Sequence, residues 1–348
     1  MKPFISICLP NYNYEKFLRE AIESVLEQTF TNFELIIGDN ASTDSSVEII
    51  KSYNDPRIKF YQNESNISLY ANINKCKDQA QGELIGVLHS DDKYHPDFLQ
   101  EVVEAYIENP NHKVFITGVN FWHHEKDELI PWHPYKTAGI ISKYEALMRL
   151  TAENNIGNGI NVILHKDCFK KVEMYPNRYK YAADYDLWMR LAEKFDFVYI
   201  PKILAYYRIH DSNLSHKVNK NLDMFKEGLE ITEKNIIQSN VIPRKIKNEL
   251  NHISFKNATK QAFYIGIKYK SGTTSRNMLN YVKHTNPDIR FEPSWHLTYL
   301  LSYLIHKKLS KNCLNYVDLL GKAALYPHKL YIKNYIDKLI REVTPAIE

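Results

Sequence analysis

The stretch Leu84-Ile85-Gly86-Val87-Leu88-His89-Ser90-Asp91-Asp92 decides the fold, because an apolar run ends in two adjacent carboxylates. Such a run is typical of a buried strand, and Pro96 shortly after it is typical of the first turn of a helix. Open α/β sheets bind ligands at the carboxyl ends of their strands. Asp91 and Asp92 at such an edge favour Mg²⁺ or Mn²⁺, which bind one or two protein carboxylates together with substrate phosphates. The stretch therefore predicts an enzyme that acts on a diphosphate.

Strand-like and helix-like runs alternate outward from this stretch, as in a sheet built from βαβ units. The predicted strands are Ile5–Leu9, Glu34–Ile37, Ile58–Tyr61, Leu84–Leu88, Val114–Val119, Ile160–Leu164, Phe197–Ile200 and Leu204–Ile209. The predicted helices cover Phe17–Leu26, about Tyr70–Ala80, a segment ending near Asn109, Tyr144–Leu150 and Asp184–Lys194. Ser45 with Glu48 predicts a capping box before another helix. We expect a mostly parallel sheet with helices on its faces.

Two parts of the chain depart from this alternation. Residues Phe121–Gly139 contain two tryptophans and three histidines without clear periodicity, and we interpret them as a long functional or mobile connection rather than a zinc site. Beyond about Asn213 the sequence becomes helical and rich in Lys and Tyr. We therefore predict a catalytic domain over residues 1–215 and a basic, mainly helical region over residues 216–348.

The charge distribution supports this division. Residues 241–348 hold 18 Lys and Arg against 7 Asp and Glu, whereas residues 1–240 hold 27 against 34. The basic residues of the tail include Arg244, Lys245, Lys247, Lys307, Lys308 and Lys311. The last three follow an apolar helical stretch with Leu297, Leu300, Leu301 and Leu304. Such a surface is typical of peripheral binding to anionic lipid, and equally of a soluble helical bundle. Nucleic acid is not predicted as a partner, because no basic and aromatic binding motif is present.

The sequence also predicts a compartment. Cys8, Cys76, Cys168 and Cys313 are far apart, which predicts neither a disulfide framework nor a zinc site. Pro10 interrupts the first apolar run, so a signal peptide is not predicted. The apolar patch Leu297–Ile305 is too short to span a bilayer. We expect a cytoplasmic protein, and we expect any membrane contact to be peripheral, on the inner face.

Three loops at the predicted strand ends should converge if the sheet forms. They are Pro10–Asn13, Gly38–Asp44 and His89–Asp92. A nucleobase needs an aromatic ring to stack on and a carboxylate to accept an N–H group, and Tyr12 and Asp39 could supply these. An isolated aspartate such as Asp39 is more typical of a turn or a helix cap than of a nucleotide contact.

In their order and spacing, these motifs resemble the family 2 glycosyltransferases of the GT-A fold. The matching segments are Ile5–Asn13, Asp39–Asp44, Ala80–Ile85, His89–Asp92, Ala183–Arg190 and Tyr207–His210, with Ser215 following. The resemblance covers about residues 3–216. It implies an α/β fold with a mixed, mostly parallel sheet flanked by helices, followed by a C-terminal helical region.

The resemblance implies a role for each candidate site residue. It implies that Pro10, Tyr12, Asn13 and Asp39 bind the nucleotide of a nucleotide-diphosphate sugar. It implies that Asp91 and Asp92 bind Mn²⁺ or Mg²⁺ on the diphosphate, with His210 as a further ligand. It places His89 and Arg208 in the donor and diphosphate region. The chain departs from the common D-x-D-D pattern at His89, which replaces the first aspartate, and Gly38 stands where many members have another aspartate.

The resemblance also implies an inverting reaction. Asp184 corresponds to the general base that accepts the proton of the acceptor hydroxyl. Asp186, two residues later, is its rival. An aspartate at position 184 is also typical of a helix N-cap.

The leading prediction is transfer of a sugar from a UDP-linked donor to a glycan or lipid-linked acceptor in surface-polysaccharide synthesis. One alternative is a sugar nucleotidyltransferase, although Leu9–Asn13 lacks the Gly-rich, basic loop of those enzymes. The other alternative is a domain that binds a nucleotide sugar or a partner without turnover, which the replacement at His89 would permit.

Overall fold

The computed structural model describes residues 2–157, 159–213, 222–291, 293–303, 305 and 334–341. Two compact units divide the chain. The first comprises residues 1–146, 156–178 and 190–211, and the second comprises residues 147–155, 179–189 and 212–348. The boundary at residue 215 remains a prediction. Leu304, Lys307, Lys308, Lys311, Cys313 and Ser215 lie outside the described residues.

A ten-stranded sheet forms the first unit. Its strands are β1 (Ile5–Asn11), β2 (Phe33–Asp39), β3 (Ile58–Gln62), β4 (Leu84–Val87), β5 (Lys93–Tyr94), β6 (Val114–His123), β7 (Glu128–Trp132), β8 (Gly139–Ile141), β9 (Val162–His165) and β10 (Phe197–Ile209). The order is β3-β2-β1-β4-β9-β6-β10-β5, with β7 beside β6 and β8 beside β10. The long pairings of β1 with β2, β2 with β3 and β6 with β10 are parallel. The predicted mixed, mostly parallel sheet is confirmed.

The helices flank this sheet and continue into a C-terminal helical region, as predicted. They are α1 (Glu15–Leu26), α2 (Ser46–Lys51), α3 (Leu69–Gln79), α4 (Phe98–Glu108), α5 (Lys143–Ala152), α6 (Ala183–Ala192), α7 (Leu222–Gln238), α8 (Arg244–Lys268), α9 (Gly272–Thr285) and α10 (Pro293–Ser302). Residues 334–341 are also helical. Among the helices of the described residues, none is both long enough and apolar enough to cross a bilayer.

In the core of the first unit, the parallel pairing of β1 with β2 places the carboxyl ends of both strands at the same edge of the sheet. Strands β1 and β2 are buried along their whole length, as their nearly continuous apolar runs predict for inner parallel strands. Helix α1 places its apolar residues at helical spacing and packs them into this core. The register pairs Asn11 with Asp39 at the last position of both strands. The loops that follow β1 and β2 therefore begin side by side.

Several local predictions are wrong. In the described structure, the Ser45 side chain makes no capping hydrogen bond, and the carboxylate of the preceding residue, Asp44, accepts the Ser46 N–H at 3.1 Å. Segment Phe121–Gly139 is more regular than its sequence pattern indicates, because β7 pairs antiparallel with the end of β6, whereas residues 133–138 lie outside strands and helices; its interpretation as a functional or mobile connection remains a prediction. The strands predicted at Phe197–Ile200 and Leu204–Ile209 form one strand, β10, whose register shifts near Ile203 relative to β6. Pro96 lies in a turn before α4 rather than inside its first turn.

Candidate active site

The acidic motif leaves β4 in a turn that the neighbouring strand holds. Leu88 N–H donates to the carbonyl of Cys8 at 2.9 Å and so extends the pairing of β4 with β1. Ser90 Oγ donates to the carbonyl of Pro10 at 2.8 Å, and Asp92 N–H donates to the carbonyl of His89 at 3.1 Å. Pro10, predicted as a nucleotide contact, therefore anchors the acidic turn.

A cluster of potential metal ligands forms at this turn. Ligand atoms of His89, Asp91 and Asp92 all lie within 4.8 Å of one another. His210 Nε2 is 3.1 Å from Asp91 Oδ2, and His89 Nδ1 is 3.6 Å from Asp92 Oδ2. The structure thus brings together the three residues that the resemblance assigned to a metal, Asp91, Asp92 and His210, and adds His89, which was assigned to the donor region.

The electrostatics of the cluster fit a divalent cation. Asp91 and Asp92 are both buried. Burial, together with the negative charge of Asp91, raises the pKa of Asp92 to about 6. Burial and the same two carboxylates also raise the pKa of the neighbouring Tyr14 phenol above its usual range. A cation between two buried carboxylates would relieve their repulsion, and carboxylate oxygens suit Mg²⁺ and Mn²⁺.

Arg208 lies against the backbone of the acidic motif. Its backbone N–H donates to Asp92 Oδ1 at 2.8 Å, and its Nε donates to the carbonyl of Asp91 at 2.7 Å. Nη2 forms an ion pair with Glu20 of α1. Only 1% of the Arg208 surface is exposed. In this structure Arg208 therefore holds both aspartates in place through the Asp92 carboxylate and the Asp91 carbonyl. Its contact with the donor remains a prediction.

Aromatic side chains enclose the Arg208 guanidinium. Its Cζ lies 4.0 Å from the ring centroid of Trp122 and 4.8 Å from that of Phe17. Nη1 lies 3.0 Å from His124 Nδ1. Burial and the positive charge of Arg208 lower the pKa of His124, which favours the neutral imidazole that accepts this hydrogen bond. Sequence reasoning missed Glu20 and His124, which lie far from Arg208 along the chain.

The predicted nucleotide loop is rigidly folded. Asp39 is fully buried, accepts the Ser42 N–H at 2.9 Å, and also accepts hydrogen bonds from Ser42 Oγ and Asn11 Nδ2. These are the contacts of the turn alternative, and an Asp39 contact with a nucleobase remains a prediction. Asn13 has a left-handed backbone (φ 57°), and its Oδ1 accepts the Thr43 N–H at 2.7 Å. Tyr12 is 42% exposed, which leaves its ring available for stacking.

A network of asparagines, also missed from the sequence, supports this loop from β3 and α3. Asn63 Nδ2 donates to Asn40 Oδ1 at 3.1 Å and to Asn72 Oδ1 at 3.0 Å. Asn72 Nδ2 donates to the carbonyl of Gly38 at 2.6 Å. The available signal was the placement of Asn40 and Asn63 directly after strands β2 and β3.

Asp184 belongs to the second unit. It is the second residue of α6, where its Oδ1 accepts the Tyr185 N–H at 2.8 Å. It lines a cleft of about 240 Å³, whose other walls include Glu153, Tyr185, Met224, Phe225 and Gln261. Its rival Asp186 is only 2% exposed. Exposure thus favours Asp184 as the residue that can reach an acceptor.

Comparison with known proteins identifies relatives of the chain. Residues 6–171 match the family model described as glycosyl transferase family 2. An uncharacterized glycosyltransferase of Methanocaldococcus jannaschii is 30% identical over 213 residues, which cover 60% of this chain and 71% of that protein. Chondroitin synthase of Pasteurella multocida is 25% identical over 279 residues, which cover 76% of this chain and 26% of the synthase. S. aureus TarS in complex with UDP-GlcNAc shares the fold, with a TM-score of 0.64 and 18% identity over 96% of this chain and 92% of the TarS chain.

Proposed function

The chain belongs to glycosyl transferase family 2, and on that premise we propose that it is an inverting, metal-dependent transferase with a UDP-sugar donor. The observation that carries this proposal is the cluster of His89 with the buried Asp91 and Asp92 beyond the carboxyl end of β4. The UDP-GlcNAc bound to TarS supports the choice of nucleotide. Chondroitin synthase among the relatives supports a glycan product, and we propose a glycan or lipid-linked acceptor and a role in surface-polysaccharide synthesis.

In the proposed mechanism, the chain binds the donor, orients it and moves one proton. Tyr12 stacks on the base, and Asn13 holds the nucleotide loop closed through Thr43. The residues that would hold Mn²⁺ or Mg²⁺ are His89, Asp91, Asp92 and His210. A bound divalent ion supplies positive charge that stabilises the departing diphosphate.

Asp184 accepts the proton of the acceptor hydroxyl as the acceptor oxygen bonds to the anomeric carbon. The bond from that carbon to the diphosphate oxygen breaks, and its electron pair leaves with UDP. Attack from the face opposite the leaving group inverts the anomeric carbon.

Calorimetric titration with UDP and GDP, each with and without Mn²⁺, tests the donor site. We expect UDP binding that requires Mn²⁺ and disappears in Asp91→Ala. Asp78→Ala is the matched control, because Asp78 is an exposed carboxylate on α3. Equal UDP binding without metal, or unchanged binding in Asp91→Ala, would contradict the metal role. If a folded sample bound GDP alone, UDP would be the wrong nucleotide, and if it bound neither, the donor-site assignment would be wrong.

Asp184→Asn tests whether Asp184 is the base. The substitution removes the proton acceptor with little change in shape, so we expect turnover of a UDP-sugar to fall by about 100-fold or more. UDP binding should stay within about twofold of the wild type, because Asp184 is not assigned to the donor. Released UDP is measured across a panel of UDP-sugars. A variant as active as the wild type would rule out Asp184, and a wild type that turned over no donor would favour the binding-only alternative.

We also propose peripheral membrane contact through the C-terminal helices. Arg244 and Lys245 are exposed at the start of α8, and Leu297 and Leu300 are exposed on α10. Lys247 contributes less, because its ammonium group donates to the carbonyls of Ile237 and Ser239 at the end of α7. Flotation with anionic vesicles should recover the protein at low salt and less of it at moderate salt, with neutral vesicles as the control. Failure to float with anionic vesicles at either salt concentration would refute this contact.

A further inference from the structure

A carboxylate from the C-terminal region caps the helix that carries Asp184. Glu227 of α7 accepts the backbone N–H groups of Lys180, Tyr181 and Ala182 at 2.9, 2.8 and 3.0 Å. Ala182 is the N-cap of α6, because its carbonyl accepts the Asp186 N–H at 3.1 Å. Backbone N–H groups at a helix start lack helical partners, and an ionised carboxylate forms strong hydrogen bonds with them. Glu227 thus joins three consecutive residues directly before Asp184 to one side chain.

A second contact fixes the residue that follows Asp184. The Tyr185 hydroxyl donates to the carbonyl of Leu150 at 2.6 Å and lies 2.9 Å from Thr232 Oγ1, which is also on α7. Tyr185 is buried. Two residues of α7 therefore hold the backbone on either side of Asp184: Glu227 contacts residues 180–182, and Thr232 contacts Tyr185. The position of the Asp184 carboxylate thus depends on α7.

We propose that Glu227 is a positioning residue for Asp184, so that α7 is part of the catalytic apparatus; this inference rests on the proposed function. A general base must lie within hydrogen-bond reach of the proton it accepts, and a displacement of about 1 Å costs about 100-fold in rate. Without Glu227, three N–H groups before α6 lose their acceptor, and the segment that leads into the helix loses its attachment to α7. Glu227 and Asp184 both lie outside the segment that matches the family model, residues 6–171. The proposed role therefore connects two parts of the chain that follow this segment.

The test compares Glu227→Ala, Glu227→Gln and the control Glu233→Ala. Glu233 lies on the same helix, and its side chain has no hydrogen-bond partner among the described residues. The assay is UDP release from the best UDP-sugar, with the dissociation constant of UDP measured by calorimetry. Glu227→Ala should lower kcat by about 10- to 100-fold, while UDP affinity stays within about twofold. Glu227→Gln should be intermediate, because one amide oxygen can accept but the amide NH₂ cannot. Glu233→Ala should match the wild type.

Two further readouts separate positioning from a general loss of structure. Amide hydrogen exchange should become faster at residues 180–182 in Glu227→Ala and remain unchanged in β1 and β2. In an Asp184→Asn background, Glu227→Ala should cause no additional loss of kcat, because the group it positions is already disabled. If Glu227→Ala does not fold, the same measurements of kcat and hydrogen exchange are made on Glu227→Gln.

The outcomes distinguish this inference from the proposed function. Wild-type kcat in both Glu227 variants would overturn the positioning role and leave the proposed function intact. A further loss in the Asp184→Asn background, or an equal loss in Glu233→Ala, would also overturn it, since the effect would then not act through Asp184. A wild type without turnover on any UDP-sugar would overturn the proposed function, and the inference with it.

Discussion

Arg208→Met tests whether the guanidinium holds the acidic motif in place. Methionine keeps an unbranched apolar stem between Phe17 and Trp122 but removes every guanidinium hydrogen bond. The backbone N–H of residue 208 can still donate to Asp92 Oδ1. The substitution therefore tests the contribution of the guanidinium alone, because the backbone hydrogen bond of β10 at this position is kept.

The expected cost follows from the individual contacts. The Asp91 carbonyl loses its Nε donor in a buried site, which costs about 1–3 kcal/mol. Loss of the cation from two aromatic faces costs up to about 2 kcal/mol. The ion pair with Glu20 adds about 0–1 kcal/mol, because the Glu20 side chain is 43% exposed. These contacts share one group and are not additive, so we expect a loss of about 2–5 kcal/mol in the free energy of unfolding.

Urea unfolding at neutral pH, followed by circular dichroism, measures this loss. Lys202→Met is the matched control, because the side chain of Lys202 is 57% exposed in an ion pair with Glu101. The control should lose less than about 1 kcal/mol. Mn²⁺-dependent UDP binding should also weaken in Arg208→Met, since the Asp91 backbone is released. A loss below about 1 kcal/mol together with unchanged UDP binding would refute the assigned role of Arg208.

Three further predictions concern β1, β2 and the loops that follow them. Burial favours a raised pKa for Glu34, but hydrogen bonds from Lys59 and two other donors outweigh it and lower the pKa below 4.5. The stability that this carboxylate contributes is therefore present above about pH 4.5 and lost as pH falls through the lowered pKa, so urea midpoints of Glu34→Gln should depend less on pH in that range. Gly38→Ala would place a Cβ 2.8 Å from Asn72 Oδ1 and in closer contact with a tyrosine hydroxyl, and a thermal melt should show a loss of about 1–3 kcal/mol; an unchanged melting temperature would contradict this packing. Tyr12→Ala should weaken UDP binding by about 10- to 100-fold through loss of about 1–3 kcal/mol of stacking. Tyr12→Phe should bind UDP like the wild type, because it keeps the ring. If calorimetry gave Tyr12→Ala the same UDP affinity as the wild type, stacking by Tyr12 would be ruled out.

The sequence was sufficient for most strands of the sheet, although not for β5, β7 and β8, and for the location of the candidate metal ligands, because both depend on local patterns. Apolar runs the length of a strand predict buried strands, and the residues directly after them must lie at the sheet edge. Asp91 and Asp92 lie in the turn that follows β4, four and five residues after its end at Val87, so their position was predictable without tertiary information. Helices α1 and α3 were predictable for the same reason, since their apolar residues recur at helical spacing.

Contacts between distant parts of the chain required the tertiary structure. Arg208 meets Glu20 across 188 positions and the Asp91 carbonyl across 117 positions, and no local pattern couples such pairs. From the sequence, Glu227 is an ordinary charged residue of an amphipathic helix. Its hydrogen bonds with three backbone N–H groups before α6 could be identified only from the tertiary structure. Hydrophobic periodicity determined which elements form, because burial acts on each segment separately. The partners of buried polar groups were decided only when packing removed water and each donor and acceptor had to find a partner among the groups close to it.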